Sequence, residues 1–286
     1  TPLGTATPVP SPSPTSSPAP STPLTSATPV SSATPLPTPH SPLPIPDFNG
    51  DCIADPAIFR PDAGVWAVRS ITRVYFGQSG DLPVPGDYDG DGRTEIGIYR
   101  PSTGLWAIRS RSRFYFGTSS DLPVRGDFNG DGIRDPGIFR ESTGLWAVAG
   151  ITRFYFGSLS DEPIPGDYNG NGTESAALFR PSSGLWAVRG TTRVYFGFFD
   201  DEAVPGDYDG DGINDVGVFL PASGLWAIRG MTRRYFGNSS DAPVPADYGG
   251  NGRVGIGIFR SSTGLWAIEG CTRFYFGAPG DIPVTR

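Results

Sequence analysis

The sequence predicts an all-β fold: a six-bladed β-propeller of 40-residue, four-stranded repeats, preceded by an extended Ser/Thr/Pro-rich arm. Three observations predict it: a strict 40-residue repeat, four short strand-like segments in each repeat, and abundant turn-forming glycine (40) and proline (31) among 286 residues. That glycine and proline content excludes helical repeats. We therefore expect an arm over residues 1–42 and a propeller over residues 43–286.

The repeat is visible in three residue types that recur every 40 positions without an insertion. Constant repeat length suits a ring, because identical blades packed face to face need equal wedge angles. The recurring tryptophans are Trp66, Trp106, Trp146, Trp186, Trp226 and Trp266. The recurring aspartates are Asp47, Asp87, Asp127, Asp167, Asp207 and Asp247, and the glycines are Gly77, Gly117, Gly157, Gly197, Gly237 and Gly277.

The second repeat illustrates the four strands of a blade. Residues 82–88 are extended and contain prolines that suit a strand start. Residues 96–100, 105–109 and 113–117 are rich in aromatic and β-branched residues, and a Pro-Ser-Thr-Gly turn separates the first two of these segments. Between residues 88 and 96 lies a polar, glycine-rich loop.

The repeated aromatic residues have two interpretations. Trp106, Phe114 and Phe116 would fill the wide outer gaps between blades, while Gly97 and Ala107 would allow close approach. Alternatively, the tryptophans are exposed platforms for a ligand. We favour packing between blades.

Arginine and aspartate also recur at fixed repeat positions. We expect a ring of Arg–carboxylate pairs with arginines stacked on aromatic rings; the alternative is a repeated sugar or sulfate pocket between blades. The arginines are Arg60, Arg100, Arg140, Arg180 and Arg260 after the second strand, and Arg73, Arg113, Arg153, Arg193, Arg233 and Arg273 before the Phe-Gly pair. The aspartates are Asp81, Asp121, Asp161, Asp201, Asp241 and Asp281.

The first-strand segment occurs once more than the number of blades. Copies stand at both ends of the propeller, at Leu43–Pro46 and at Ile282–Val284. Either the C-terminal copy pairs into the first blade, or a surplus strand is given to a neighbouring molecule. Both arrangements remove an exposed strand edge, and the second would build a fibre.

The loops after the first strand contain a D-x-[DN]-x-D-G-x-x-[DE] motif. Alternating acidic residues across a tight turn direct several hard oxygens at one point, as Ca²⁺ requires. The intact copies are Asp87, Asp89, Asp91 and Glu95; Asp127, Asn129, Asp131 and Asp135; and Asp207, Asp209, Asp211 and Asp215.

The remaining loops depart from the motif. The first keeps its acids but has Cys52 in place of glycine, the fourth has one strong ligand, and the sixth is expected to be empty. We therefore expect three or four Ca²⁺ ions. The first loop offers Asp47, Asn49, Asp51 and Asp55, and the fourth offers Asp167, Asn169 and Asn171.

Residues 43–286 resemble the FG-GAP/VCBS-type repeats of integrin α-subunit propellers and of many bacterial surface proteins. The shared features are the Phe-Gly pairs, Phe76-Gly77 through Phe276-Gly277, each followed about ten residues later by the acidic loop and an apolar strand. The resemblance implies a propeller with calcium in its blade loops, and secretion. After the loop the chain has Arg-Pro-Ser-Thr-Gly-Leu-Trp where that family often has Gly-Ala-Pro.

The two cysteines, Cys52 and Cys271, each replace another residue type at their repeat position. They belong to the first and last repeats, which a closed ring places side by side. We predict a disulfide that fastens the ring; a bond between subunits is the alternative. Extracellular conditions permit either bond.

The arm and the bulk composition indicate an extracellular protein. Residues 1–42 are nearly all Thr, Ser, Pro and Ala, as in flexible linkers and O-glycosylated stalks. Asn171 and Asn238 match the N-glycosylation pattern. The start at Thr1 suggests a mature chain from which an export signal has been removed.

Composition and residue pattern also narrow the function. A net charge of −7 without lysine disfavours nucleic acid, and no apolar run is long enough for membrane insertion. His40 is the only histidine and lies in the arm, so no Ser-His or Cys-His pair can form in the propeller and we expect no enzyme. We expect a filament subunit that binds copies of itself. The alternatives are a lectin-like adhesin and, more remotely, a polysaccharide lyase.

Overall fold

A computed structural model describes residues 46–284, so the arm lies outside the described part of the chain. This part consists of six four-stranded antiparallel sheets arranged in a ring, which confirms the six-bladed β-propeller. We number the blades 1 to 6 in the order of their tryptophans, from Trp66 to Trp266. Among these residues no helix is long and apolar enough to cross a membrane.

Each blade runs from a short innermost strand to an exposed outermost strand. The innermost strands are β4 (Leu82–Pro83), β8 (Leu122–Gly126), β12 (Glu162–Pro163), β16 (Glu202–Ala203), β20 (Ala242–Pro243) and β24 (Ile282–Pro283). The second strands are β1 (Ala57–Arg60), β5 (Gly97–Arg100), β9 (Asp135–Arg140), β13 (Ala177–Arg180), β17 (Gly217–Leu220) and β21 (Gly257–Arg260).

The two outer strands of each blade complete the sheet. The third strands are β2 (Val65–Val68), β6 (Leu105–Ile108), β10 (Leu145–Val148), β14 (Leu185–Val188), β18 (Leu225–Ile228) and β22 (Leu265–Ile268). The outermost strands are β3 (Thr72–Tyr75), β7 (Ser112–Tyr115), β11 (Thr152–Tyr155), β15 (Thr192–Tyr195), β19 (Thr232–Tyr235) and β23 (Thr272–Tyr275).

The tryptophans pack between blades rather than forming exposed platforms. All six are completely buried. Trp66, for example, packs with Phe59 of its own blade and with Ile98 and Ala107 of blade 2. Its indole nitrogen donates a hydrogen bond to the Phe76 carbonyl at 3.0 Å, so its polar atom is also satisfied. Small residues such as Ala107 therefore do allow the close approach expected from the sequence.

One glycine pair closes the outer turns of every blade. A side chain at Gly64 would collide with the backbone carbonyl of Gly77, and the same holds for the equivalent pairs of the other five blades. The glycine of the Phe-Gly pair, just after the outermost strand, thus lies directly against the turn between the second and third strands. This close approach explains why the two glycines repeat together.

The C-terminal strand closes the ring within the same chain. Strand β24 pairs antiparallel with β1, with Phe59 opposite Ile282 and Ile58 opposite Pro283. Beyond the pair, the Val284 amide donates to the Ala57 carbonyl at 2.8 Å. Of the two arrangements allowed by the sequence, the C-terminal copy therefore completes blade 1 rather than extending to a neighbour.

Deleting residues 282–286 is expected to lower the thermal midpoint by about 10 °C or more, because blade 1 would keep three strands and expose Phe59 and Ile58. Differential scanning calorimetry measures the change. Deleting only residues 285–286 is the control and should leave the midpoint nearly unchanged. Equal midpoints for the two truncations would contradict closure by β24.

Candidate functional site

The acidic loops lie between the first and second strands of the blades, all on one face of the ring. The blade 5 loop shows how they are built. Its first residue, Asp207, accepts hydrogen bonds from the amides of Gly210 at 2.6 Å and Gly212 at 2.8 Å. Its last, Asp215, accepts one from the Tyr208 amide at 2.9 Å. The two terminal carboxylates therefore hold the loop in a tight turn.

The same first aspartate also connects neighbouring blades through its backbone. In each loop its carbonyl accepts a hydrogen bond from a backbone amide of the next blade, at 2.6 to 2.8 Å. The series includes the closing contact, from Ala54 of blade 1 to Asp247 of blade 6. The six donors are the amides of Ala54, Thr94, Arg134, Glu174, Asn214 and Val254.

Two of the loops bring three carboxylates together in a way that could hold a metal ion. These are Asp87, Asp89 and Glu95 in blade 2, and Asp207, Asp209 and Asp215 in blade 5, whose carboxylate oxygens lie within 4.8 Å of one another. In blades 1 and 3 the third loop position is Asn49 or Asn129, which would contribute an amide oxygen instead. At the ligand positions of the motif, the blade 4 loop has only Asp167 as a carboxylate, and the blade 6 loop only Asp247.

In blades 1, 2, 3 and 5 the loop ends in an acid, and the pKa of that acid is raised. Burial, together with the neighbouring loop carboxylates, raises the pKa of Asp55, Asp135 and Asp215 to about 6, against the lowering effect of a backbone hydrogen bond. The pKa of Glu95 is raised for the same reasons. Such a shift means that the negative charges are not fully compensated, which is the condition that a bound cation relieves.

Blade 2 contains a cation of its own that the sequence reasoning missed. The guanidinium of Arg111, in the turn between the third and fourth strands, forms an ion pair with Asp89 and lies 3.3 Å from the Glu95 carboxylate. The equivalent residue in blade 5 is Met231. The blade 2 carboxylates are therefore partly neutralised, whereas within residues 46–284 no ion pair is formed with the blade 5 carboxylates. The signal was present in the sequence, since Arg111 alone is charged at its repeat position.

Cys52 and Cys271 are both exposed and unbonded, so the predicted disulfide is not formed in the structure. The first and last repeats do lie side by side, as predicted, because the loop that contains Cys52 lies against Gly250 of blade 6. The direction of the Cys52 side chain explains why the two cysteines are not bonded. Cys52 occupies the repeat position of Gly92 and has a φ of 64°. A side chain at Gly92 would meet open space, and that of Cys52 likewise extends towards solvent.

The opposite face of the ring contains the Arg–carboxylate pairs expected from the sequence. Arg100 forms a two-pronged pair with Asp81, with nitrogen–oxygen distances of 2.7 and 2.9 Å. Arg60, Arg140, Arg180 and Arg260 repeat it with Asp281, Asp121, Asp161 and Asp241. The arginines before the Phe-Gly pair, such as Arg153, are instead exposed on the outermost strands.

Stacking of arginine on aromatic rings occurs at different residues from those expected. Arg69 of blade 1 lies 4.1 Å from the ring centre of Phe274, and Arg189 of blade 4 lies 4.0 Å from that of Phe154. Both arginines follow the third strand and reach across to the preceding blade. The same position in blade 3 is Ala149, opposite Phe114 of blade 2, so no guanidinium stacks on that ring from this position.

A groove of about 430 Å³ opens at that boundary between blades 2 and 3. Blade 2 contributes Phe116 and Thr118, and the wall on the blade 3 side contains Leu145, Arg140 and Arg153. Arg140 is already paired with Asp121 and also donates to the Thr118 hydroxyl at 3.2 Å. The groove therefore combines an apolar floor with hydroxyl, carboxylate and guanidinium groups along its edges, and its volume is that of a small-molecule site.

Comparisons with known proteins support the fold without assigning a family. No family model matches the chain, and neither does any curated protein sequence. Among solved structures the chain is similar to an Agrocybe aegerita lectin described for its specific recognition of non-reducing terminal N-acetylglucosamine, with a TM-score of 0.50. The two are 16% identical, over 76% of this chain and 73% of the lectin. This similarity shows a shared propeller fold.

Proposed function

We propose that this chain is a secreted, calcium-stabilised propeller that binds saccharides and is not an enzyme. The observation that supports saccharide binding is the groove between blades 2 and 3. A sugar ring has an apolar C–H face and hydroxyls around its rim. Phe116 and Ile151 offer the first surface, and Thr118 and Arg153 offer hydrogen-bonding groups for the second.

The ligand to test first follows from the structural neighbour. That lectin is described as recognising non-reducing terminal N-acetylglucosamine, and it shares the fold of this chain. An N-acetyl sugar also suits the chemistry of the groove, because its amide would add a donor and an acceptor to the hydroxyls. Terminal N-acetylglucosamine is therefore the first probe.

Calcium is the ion that best suits the acidic loops. In the blade 2 and blade 5 loops the potential ligands are all oxygens on a short turn, without the sulfur or imidazole that zinc prefers. The FG-GAP/VCBS resemblance implies the same ion at the same loop. We assign calcium a structural role, since the loop aspartates connect adjacent blades through their carbonyls.

The filament role expected from the sequence has less support than saccharide binding. One of its arguments was a surplus strand available to a neighbour, but β24 is occupied within its own ring. The Ser/Thr/Pro-rich arm, expected to be the other link between subunits, lies outside the described residues. A filament subunit therefore remains the second proposal.

Substituting Ala149→Arg is expected to weaken saccharide binding by at least about tenfold, because the new guanidinium would cover the groove as Arg189 covers the next boundary. Isothermal titration with N-acetylglucosamine and a glycan array would measure the effect. Arg229→Lys, at the same repeat position in blade 5, is the matched control and should bind like the wild type. A wild-type chain that binds no glycan on the array would refute the proposal.

Substituting Arg111→Ile is expected to tighten calcium binding at blade 2 by about tenfold, because a competing cation is removed from Asp89 and Glu95. The reciprocal change, Met231→Arg, should weaken the blade 5 site. Calcium titration followed by calorimetry would report both. Unchanged affinity in both variants would show that the ion does not lie among these carboxylates.

Calcium stabilisation should grow between about pH 5 and pH 7. The pKa of Asp55, Asp135 and Asp215 is raised to about 6 in the metal-free fold, so their contribution to stability is present at low pH and is lost as pH rises through 6. Calcium competes with those protons. The difference between thermal midpoints with calcium and with EDTA should therefore be small at pH 5 and larger at pH 7, and a pH-independent difference would be inconsistent with these ligands.

A further inference from the structure

Five of the six blades neutralise a buried aspartate with an arginine of the second strand. The aspartate immediately precedes the innermost strand and is 2 to 4% exposed in these five blades. The arginine always binds through two nitrogens, as in the 2.6 and 2.9 Å contacts of Arg260 with Asp241. The guanidinium is thus part of the standard blade.

Blade 5 has the aspartate without the arginine. Asp201 is 5% exposed, and the residue at the arginine position is Leu220. Within residues 46–284 the ion pairs of the structure include none to Asp201, whose hydrogen bond comes from the Phe198 amide at 2.8 Å. Leucine lacks the length and the donors of arginine, so one side of this carboxylate has no cationic partner.

The electrostatics agree with a missing cation. Burial raises the pKa of Asp201, and the neighbouring charge of Asp200 raises it further. The equivalent Asp121 experiences the same burial, but hydrogen bonds from Arg140 and Thr118 bring its pKa below the usual value. A buried carboxylate without a counter-charge is costly, and a cation from outside the chain would remove that cost.

The turn beside Asp201 is also unlike its five counterparts. It presents Phe198 and Phe199, which are 77% and 72% exposed, whereas four of the others consist of small or polar residues and the fifth has one exposed apolar residue, Leu159. The turn is short, since the Asp201 amide donates to the Phe198 carbonyl at 3.3 Å. Two solvent-exposed aromatic rings therefore lie within one turn of the unpaired carboxylate.

We propose that Asp201, Phe198 and Phe199 form a receptor for an arginine side chain of a partner protein. The five sister blades show how such a guanidinium meets this carboxylate. Arginine fits better than lysine, because its planar fork makes two parallel hydrogen bonds and stacks on aromatic rings. The two phenylalanines supply that stacking surface, and Asp200 adds negative charge at the entrance.

The test is an NMR titration of the full chain with N-acetyl-L-arginine N-methylamide, with the lysine compound in parallel. The arginine probe should shift the backbone amides of residues 198–202, and the lysine probe should bind at least about fivefold more weakly. No shift of these amides in the wild-type protein, or equal shifts with both probes, would overturn the proposal.

Two matched variants separate the site from general effects. Leu220→Arg restores the sister-blade pair and should abolish the shifts, whereas Leu220→Met keeps an uncharged side chain and should retain them. If Leu220→Arg does not fold, Asp201→Asn should give the same loss. Persistent shifts in a folded variant without the open carboxylate would overturn the proposal. Self-association abolished by Leu220→Arg would identify a second copy as the occupant and overturn the assignment to a separate partner.

Discussion

The first aspartate of each acidic loop performs two structural tasks on which the ring depends. Its carboxylate accepts backbone amides of its own loop, as in the Asp207 contacts with Gly210 and Gly212. Its carbonyl accepts an amide of the next blade, six times around the ring. The shape of the loop and the joint between blades are thus set by one residue. A cation bound by the remaining carboxylate oxygens would stiffen both at once.

The six blades share this structure, so a residue at which one blade differs from the others is easy to recognise. Arg111 brings a cation to the blade 2 carboxylates. Ala149 lacks the guanidinium that Arg189 places over a neighbouring ring, and a groove opens at its boundary. Leu220 leaves Asp201 without its arginine. Because the frame is held by the other blades, each departure changes a surface without changing the fold.

Much of the fold could be predicted from sequence because the repeat is exact in length. The spacing of the tryptophans predicted the blade number, and the second repeat predicted its three outer strands to within two residues at each end, whereas its first strand, expected over residues 82–88, spans only Leu82–Pro83. Contacts between blades were harder to predict, because a repeat in the sequence does not define which residue of one blade faces which residue of the next. Arg69 on Phe274, and the outward direction of Cys52, depend on relative blade orientation and backbone φ, so neither followed from spacing.

Native-state hydrogen exchange would test the joint between blades most directly. The amides of Ala54, Thr94, Arg134, Glu174, Asn214 and Val254 donate to the loop aspartates. With calcium present, all six should exchange slowly, and removal of the ion should speed exchange most in blades joined to a complete acidic loop, such as at Val254 beside the Asp207 loop. Fast exchange at these amides, or exchange that is the same with and without calcium, would contradict the account.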